Sequence, residues 1–236
     1  MSKLHLIPVP LSGSDISQIC HQAISSAHNL RYFLAERSKT ARQFIKSIKH
    51  PLAQSEIEVR ELNDEDFIEN KKWIKELVSQ NQDLGLVSEA GLPCIADPGY
   101  NIVMYAHNNN IEVAPYPGPN SMLMALMASG LNGQEFSFHG YLPRKKEDLK
   151  IKLNEISKLS ASTLSSQIFM ETPYRNLSLL ESILNHVPAD LYLSISSGLG
   201  SSIQKIKTHK VREWKSLNSE YLNDVPAVFI IGGNRK

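Results

Sequence analysis

Cysteines and long apolar runs are what this sequence has least of. Its 236 residues include two cysteines, Cys20 and Cys94, which are far apart and form no CxxC pair. A disulfide framework or a zinc ribbon is therefore not expected, and a reducing compartment is the natural setting. No apolar run approaches the ~20 residues that a membrane-spanning helix needs, and the N-terminus lacks the apolar region and cleavage site of a signal peptide. These absences predict a cytoplasmic protein without a membrane span.

An excess of charge of one sign is absent too. The chain has 25 Lys and Arg against 24 Asp and Glu, and its formal charge is +1. Net charge therefore gives no reason to expect non-specific nucleic-acid binding, although it leaves room for a local basic patch.

The common phosphate-binding and metal-binding motifs are also missing. The sequence has no GxxxxGK[ST], no GxGxxG after the first predicted strand, no HExxH and no cluster of Cys and His. Its eight His residues are scattered, and a place on the surface or in the core explains each of them better than catalysis does. No metal site is expected.

What the sequence does have is a repeated alternation of short apolar strands and amphipathic helices. Five strand–helix units are predicted first, with strands at residues 4–9, 32–35, 57–62, 84–88 and 111–114. The helices of these units are predicted at residues 16–27, 40–48, 67–78, 100–107 and 121–128. Such repetition requires parallel strands joined by helical crossovers, so we expect an open, mostly parallel α/β sheet.

The second half predicts a smaller α/β domain with a mixed sheet. Strands are expected at residues 136–141, 167–170, 191–196 and 227–231, helices at 149–159 and 174–186, and short polar segments at 203–208 and 211–217. The Pro-rich turn at residues 115–119 is the best boundary. It gives an N-terminal domain at residues 1–117 and a C-terminal domain at residues 118–236.

Two glycine-containing loops are the strongest candidates for a ligand site. Open α/β sheets bind ligands beyond the carboxyl ends of their strands. The loops at residues 88–99 and 117–121 follow two strands that we expect to be neighbours. Gly91 and Gly99 permit close backbone approach or positive φ, and Gly118 turns the chain in the second loop. Asp97, followed by proline, suits the start of the next helix. Either loop alone is compatible with an ordinary turn, but together they predict a pocket.

Five short motifs follow one another along the chain: LVSEAGLP at residues 86–93, DPGY at 97–100, PGP at 117–119, FHGYLP at 138–143 and ETPYR at 171–175. With them the chain resembles the tetrapyrrole methylase superfamily over residues 4–232, and within it the ribosomal small-subunit methyltransferase I family. This resemblance implies a two-domain α/β enzyme, usually a homodimer, that binds S-adenosylmethionine (AdoMet) in a cleft between its domains. It further implies 2′-O-methylation of a cytidine ribose in small-subunit ribosomal RNA.

The resemblance also implies which residues contact AdoMet. In the first domain and the PGP turn they are Pro10, Gly91, Leu92, Pro93, Ile95, Asn120 and Ser121. In the second domain they are Met170, Ser197 and Ala227. The candidates for contact with RNA phosphates are Arg37, Lys39, Arg144 and Lys145, for which a solvated surface is the equal alternative.

Methyl transfer to a ribose hydroxyl requires alignment and a proton acceptor. The methyl group of AdoMet is already activated, so alignment is the main demand on the protein, and a hydroxyl acceptor adds the need for a base. Four carboxylates follow predicted strands, namely Glu36, Glu89, Asp97 and Glu171. Asp97 is also suited to cap a helix and Glu171 to pair with Arg175. Glu89 and Glu36 are therefore the predicted catalytic residues, unless they are solvated loop carboxylates. Glu89→Gln is expected to lower turnover without abolishing AdoMet binding.

Two other functions are compatible with the sequence. One is an AdoMet-dependent methyltransferase of a small molecule, such as a tetrapyrrole or another metabolite. The other is a non-catalytic AdoMet-binding α/β module, because Arg37 stands where the resembling family has Asp after its second strand.

Overall fold

The computed structural model describes residues 2–13, 15–62 and 67–233 and divides the chain into two compact units. Unit 1 ends at Asn120 and unit 2 begins at Ser121. Each unit has a five-stranded sheet with helices packed on it, so the chain is an α/β protein. Among the helices in the described ranges, none combines the length and the hydropathy that a bilayer crossing requires.

Unit 1 is built on a sheet in which every pairing is parallel. Its strands are β1 (Lys3–Ile7), β2 (Tyr32–Ala35), β3 (Glu58–Glu61), β4 (Leu84–Val87) and β5 (Glu112–Pro115). The helices between them are α1 (His21–His28), α2 (Ser38–Ser47), α3 (Phe67–Ser79) and α4 (Tyr100–Asn108). The strand order is β3-β2-β4-β1-β5. The predicted parallel α/β sheet is confirmed.

The core of unit 1 lies on both faces of this sheet. Ile7, Phe33 and Val87 pack with α1 and α2 on one face, and Leu34 and Leu86 pack with α3 and α4 on the other. Because side chains alternate between the two faces of a strand, a strand covered on both faces is apolar at every position. With both faces covered, the carboxyl ends of the strands and the loops that follow them form the available edge for a ligand.

Unit 2 has a mixed sheet, as predicted. Its strands are β6 (Phe136–Tyr141), β7 (Ser166–Glu171), β8 (Tyr192–Ser197), β9 (Lys205–Lys210) and β10 (Ala227–Gly232), in the order β6-β7-β10-β8-β9. Its helices are α5 (Ser121–Ser129), α6 (Lys146–Thr163) and α7 (Asn176–His186). Strands β6 and β7 pair in parallel, and all other neighbours in the sheet pair antiparallel.

The core of unit 2 is centred on Phe169, Leu193 and Phe229, which pack with α6, α7 and Trp214. Trp214 lies in the 3₁₀ helix Val211–Ser216, and its indole N–H donates to the carbonyl of Leu193 at 3.0 Å. A buried Trp needs such a partner for its one donor. The bond also fixes the segment after β9 to the sheet.

Two segments differ from the sequence prediction. The helix expected at residues 16–27 is a 3₁₀ turn followed by α1, because Ile19 and Cys20 have extended backbone between the two. The side chain of Gln18 accepts a hydrogen bond from the backbone N–H of Leu11 at 3.0 Å, which ties this turn to the loop after β1. The polar segment expected at residues 203–208 lies largely in β9, which covers residues 205–210, because pairing with β8 along the whole strand outweighs the weak strand preference of lysine.

Candidate functional site

Three loops at the carboxyl edge of the unit 1 sheet contact one another, and they follow β1, β4 and β5. The prediction that β4 and β5 are neighbours is wrong, because β1 lies between them. The loop after β1 therefore joins the site. The backbone N–H of Val9 donates to the carbonyl of Gly91 at 2.9 Å, and the N–H of Gly91 donates to the carbonyl of Val9 at 3.1 Å. The hydroxyl of Ser88 donates to the same Gly91 carbonyl at 3.0 Å. We call these loops the three-loop assembly.

Two glycines allow these loops to approach each other. Gly91 has a φ of +77°, and a Cβ there would lie 3.0 Å from the carbonyl oxygen of Pro119. Positive φ is a conformation that favours glycine. A Cβ on Gly118 would lie 2.6 Å from Cγ of Pro8 and 3.2 Å from Cδ2 of Leu92. The PGP turn thus packs on the other two loops with no room for a side chain at its centre.

Gly118→Ala is expected to weaken AdoMet binding about tenfold or more, because the added methyl group must displace Pro8 and separate the loops. Overpacking of this kind costs about 1–3 kcal/mol, and a tenfold change in affinity corresponds to about 1.4 kcal/mol. Calorimetric titration with AdoMet measures the change.

Gly133→Ala is the matched control for this substitution. A Cβ at Gly133 meets no heavy atom within 4 Å, so AdoMet affinity should stay at the wild-type value. If Gly118→Ala also binds AdoMet as the wild type does, the close approach of the loops is not needed for donor binding.

The two predicted catalytic residues, Glu36 and Glu89, follow neighbouring strands. Strands β2 and β4 pair up to their last residues, so both side chains belong to the same edge of the sheet. Glu89 is held by two neighbours: the hydroxyl of Thr40 donates to Oε1 at 2.7 Å, and Nε of Arg37 lies 3.9 Å from Oε2. Burial, and then the charge of Glu89, raises the pKa of Glu36 above its ordinary value.

Asp97 belongs to this edge as well, although its sequence context suggested a helix cap. That prediction is wrong, because Gly99 is the residue that precedes α4, with a φ of +122°. A Cβ on Gly99 would lie 3.0 Å from both Sγ of Cys94 and Cδ2 of Leu86. The chain turns at this glycine, so the helix starts after the Asp-Pro pair.

Asp97 has the electrostatic properties of a proton acceptor. Its Oδ2 is buried and has no hydrogen-bond partner among the described residues. Burial, and then the charges of Glu36 and Glu89, raise the pKa of Asp97 to about 6. Burial, and then the charge of Asp97, raise the pKa of the Cys94 thiol to about 11, which makes it a poor nucleophile at neutral pH.

Unit 2 brings its own three predicted AdoMet residues together. Ala227, at the start of β10, pairs with Ser197 at the end of β8, and the next residue, Val228, pairs with Met170 near the end of β7. All three predicted residues therefore lie at one end of the unit 2 sheet. Their contact with AdoMet stays a prediction.

Glu171, the fourth carboxylate considered as a base, is engaged at both oxygens. Its Oε2 lies 3.2 Å from Nη2 of Arg175, which confirms the predicted pair. Its Oε1 accepts from the backbone N–H of Thr172 at 2.7 Å and from the Thr172 hydroxyl at 3.0 Å. A buried carboxylate held in this way stabilises the structure and does not serve as a base.

The remaining predicted contact residues differ in exposure. Pro10, Gly91 and Pro93 are buried, Leu92, Asn120 and Ser121 are half-buried, and Ile95 is exposed. The four residues predicted for RNA contact are all exposed: Arg37, Lys39, Arg144 and Lys145. Within the described ranges, no group of three or more His, Cys, Asp and Glu is arranged to hold a metal ion.

Known proteins resemble this chain in sequence. The sequence model of the Tetrapyrrole (Corrin/Porphyrin) Methylases matches residues 3–214. A protein of Thermotoga maritima named ribosomal RNA small subunit methyltransferase I is 32% identical over 187 residues, which is 78% of each chain. Proteins of the same name from Halalkalibacterium halodurans and Vibrio cholerae are 32% and 37% identical over 181 and 124 residues. These matches cover 77% and 52% of this chain but 59% and 42% of the two relatives, so the chain spans about half the length of these two proteins.

A solved structure resembles the chain in fold. The crystal structure of uroporphyrin-III-C-methyltransferase from Thermus thermophilus superposes with a TM-score of 0.56, over 98% of this chain and 92% of that one. The sequence identity is 16%, so this likeness concerns the fold alone.

Proposed function

The chain belongs to the tetrapyrrole (corrin/porphyrin) methylase family, and on that premise we propose that it is an AdoMet-dependent methyltransferase that methylates a ribose 2′-hydroxyl in small-subunit ribosomal RNA. The names of the relatives support the RNA acceptor. The observation that carries the proposal is the convergence of Glu36, Glu89 and Asp97 beside the three-loop assembly. A hydroxyl acceptor needs a base, and this edge of the sheet offers one.

The unit 1 edge suits AdoMet in two respects. At Gly91 and Gly118 the backbone is free of side chains where the loops meet, and the neighbouring carboxylates complement the positive charges of a sulfonium and an ammonium group. When bound, AdoMet supplies a methyl group that its sulfonium has already activated. Within the proposal, the predicted contact residues hold AdoMet, and the rigid loops of unit 1 fix its orientation against the acceptor.

Asp97 is the residue to which the proposal assigns the ribose proton. A carboxylate with a pKa of about 6 is ionised in most molecules at neutral pH and is more basic than an ordinary aspartate. Glu36 and Glu89 raise this pKa through their charges. Thr40 and Arg37 hold Glu89 in place. The two glutamates therefore act through Asp97, which is a change from the roles that the sequence predicted for them.

The proposal also includes a homodimer that works in the cytoplasm. Ribosomal RNA as the substrate implies this location, and the family resemblance implies the dimer. Light scattering should give a mass about twice the 26.4 kDa of the chain. If light scattering gave the mass of one chain, the homodimer would be wrong and the rest of the proposal would be unaffected.

Methyl incorporation into small ribosomal subunits tests the acceptor. Subunits from cells that lack the protein should take up radiolabelled methyl groups from AdoMet stoichiometrically, whereas subunits from cells that contain it should take up almost none, because their site is already modified. Nuclease digestion of the labelled RNA should give a nucleoside methylated on its ribose.

Two results would replace this function by another. AdoMet binding with methylation of a small molecule, and no methylation of ribosomal subunits, would favour a small-molecule acceptor. AdoMet binding in calorimetry, together with methylation of neither ribosomal subunits nor a small molecule, would favour the non-catalytic module.

A further inference from the structure

Unit 2 contains a basic stretch that the sequence analysis did not single out. Residues 205–215 include five Lys or Arg and one Glu, in a chain whose formal charge is +1. Lys205, Lys207 and Lys210 lie on β9, which is the last strand in the sheet order and therefore an edge strand. Because side chains alternate along a strand, Lys205 and Lys207 lie on one face of β9 and Lys210 on the other. We call Lys205 and Lys207 the β9 basic surface.

Aromatic rings hold the ammonium groups of the three lysines on β9. Nζ of Lys205 and Nζ of Lys207 lie 5.2 Å and 5.1 Å from the centre of the Tyr221 ring. Nζ of Lys210 lies 5.9 Å from the centre of the Tyr192 ring. Cation–π contacts attract a lysine to a ring and restrict its rotamers. They do not neutralise its charge, because the ring carries no net charge.

No carboxylate in the described ranges lies within 4 Å of the ammonium groups of Lys205 and Lys207, whereas two other side chains nearby have acidic partners. Arg212 forms an ion pair with Asp190, and Nδ1 of His209 lies 3.7 Å from an oxygen of Glu213. The surface therefore presents two neighbouring positive charges, on Lys205 and Lys207, that no ion pair compensates among the described residues.

We propose that the β9 basic surface binds the sugar-phosphate backbone of the RNA substrate. This inference rests on the proposed function, since it states how the same RNA is held. Lys205 and Lys207 are two positions apart on one face of the strand, so they are about 7 Å apart along it and can contact different phosphates. Contacts of this kind position a nucleic acid without reading its bases.

A lysine on an edge strand also prevents pairing with a strand of another molecule. A lysine that only prevents strand pairing needs an exposed charge, but it needs no aromatic ring to orient that charge. The attachment of two lysines to Tyr221 instead favours a surface in which the charges are held in place for a ligand. Phosphate groups are the anions that RNA presents in a row.

The double variant Lys205→Gln/Lys207→Gln tests this surface. Its affinity for RNA extracted from small ribosomal subunits should fall roughly 20-fold at about 0.1 M KCl, because each lost phosphate contact removes about 0.7 from the slope of log K against log salt. The slope itself should become shallower by about 1.4. Filter binding between about 50 and 200 mM KCl measures both quantities.

The double variant Lys72→Gln/Lys75→Gln is the matched control, since it makes the same change of charge at two exposed positions of α3. It should keep the wild-type RNA affinity and slope, and both double variants should bind AdoMet as the wild type does. An equal loss of RNA affinity in both double variants would show an effect of net charge and would overturn the proposed role of the β9 basic surface. A change in the mass of the β9 variant would assign the strand to a contact between copies and overturn it too.

The outcomes also separate this inference from the proposed function. If the wild type binds RNA and the β9 variant keeps its affinity and slope, the surface is wrong and the function stands. If the wild type binds no RNA but methylates a small molecule, both the surface and the ribosomal substrate are wrong.

Discussion

Asp97→Asn is expected to lower kcat for methyl transfer by about 10²–10⁴-fold, the range that a positioned general base contributes. Asparagine has nearly the shape of aspartate, so the loops and the affinity for AdoMet should be unchanged. Its amide, however, cannot accept the proton of a ribose hydroxyl. Single-turnover methylation of small ribosomal subunits at saturating AdoMet measures kcat, and calorimetry measures the affinity. Turnover at the wild-type rate would remove Asp97 from the mechanism.

The pH dependence distinguishes Asp97 from the glutamates beside it. Asp97 must be ionised to accept a proton and has a pKa of about 6, so kcat/KM of the wild type should fall as the pH decreases through this value. Glu89→Gln removes one of the charges that raise the pKa of Asp97, so the fall should move to lower pH. If Glu89 were itself the base, Glu89→Gln would abolish most of the turnover and Asp97→Asn would change it little.

The parallel sheet of unit 1 could be predicted from the sequence because repeated strand–helix units permit few topologies. Strand β2 lies at the predicted residues, and β1, β4 and β5 lie within two residues of theirs. The order of the strands could not be predicted, since periodicity does not encode which crossover places β1 between β4 and β5. Strand β9 was missed for a related reason: pairing with β8, and not its own hydrophobicity, makes it a strand.

The candidate site could be predicted in part. Glu36 and Glu89 directly follow strands, and this position alone places them at the carboxyl edge. Asp97 was misassigned because Asp before Pro matches a helix start, while its burial depends on the path of the loop. That path is set by the packing of Gly99 against Cys94, a contact that no local pattern reveals. For the β9 basic surface a signal was present, namely five basic residues within residues 205–215.

Arg175→Ala is expected to destabilise unit 2 by about 3–5 kcal/mol, the usual effect of removing one partner from a buried ion pair. The Glu171 side chain is 1% exposed, and without Arg175 its Oε2 would be left in the core with no cation beside it. The melting temperature should fall by roughly 10 °C. Denaturant titration measures the free energy of unfolding, and calorimetry measures the melting temperature.

Two further variants show whether the cause is the buried charge of Glu171. Arg212→Ala makes the same substitution in the same unit but breaks an exposed pair with Asp190, and exposed pairs contribute less than about 1 kcal/mol. Glu171→Gln combined with Arg175→Ala should be more stable than Arg175→Ala alone, because a neutral glutamine can still accept from Thr172 and leaves no charge uncompensated. Two results would show that Arg175 does not stabilise the fold by compensating this charge. One is an equal free energy of unfolding for Arg175→Ala and Arg212→Ala. The other is no gain in stability when Glu171→Gln is added to Arg175→Ala.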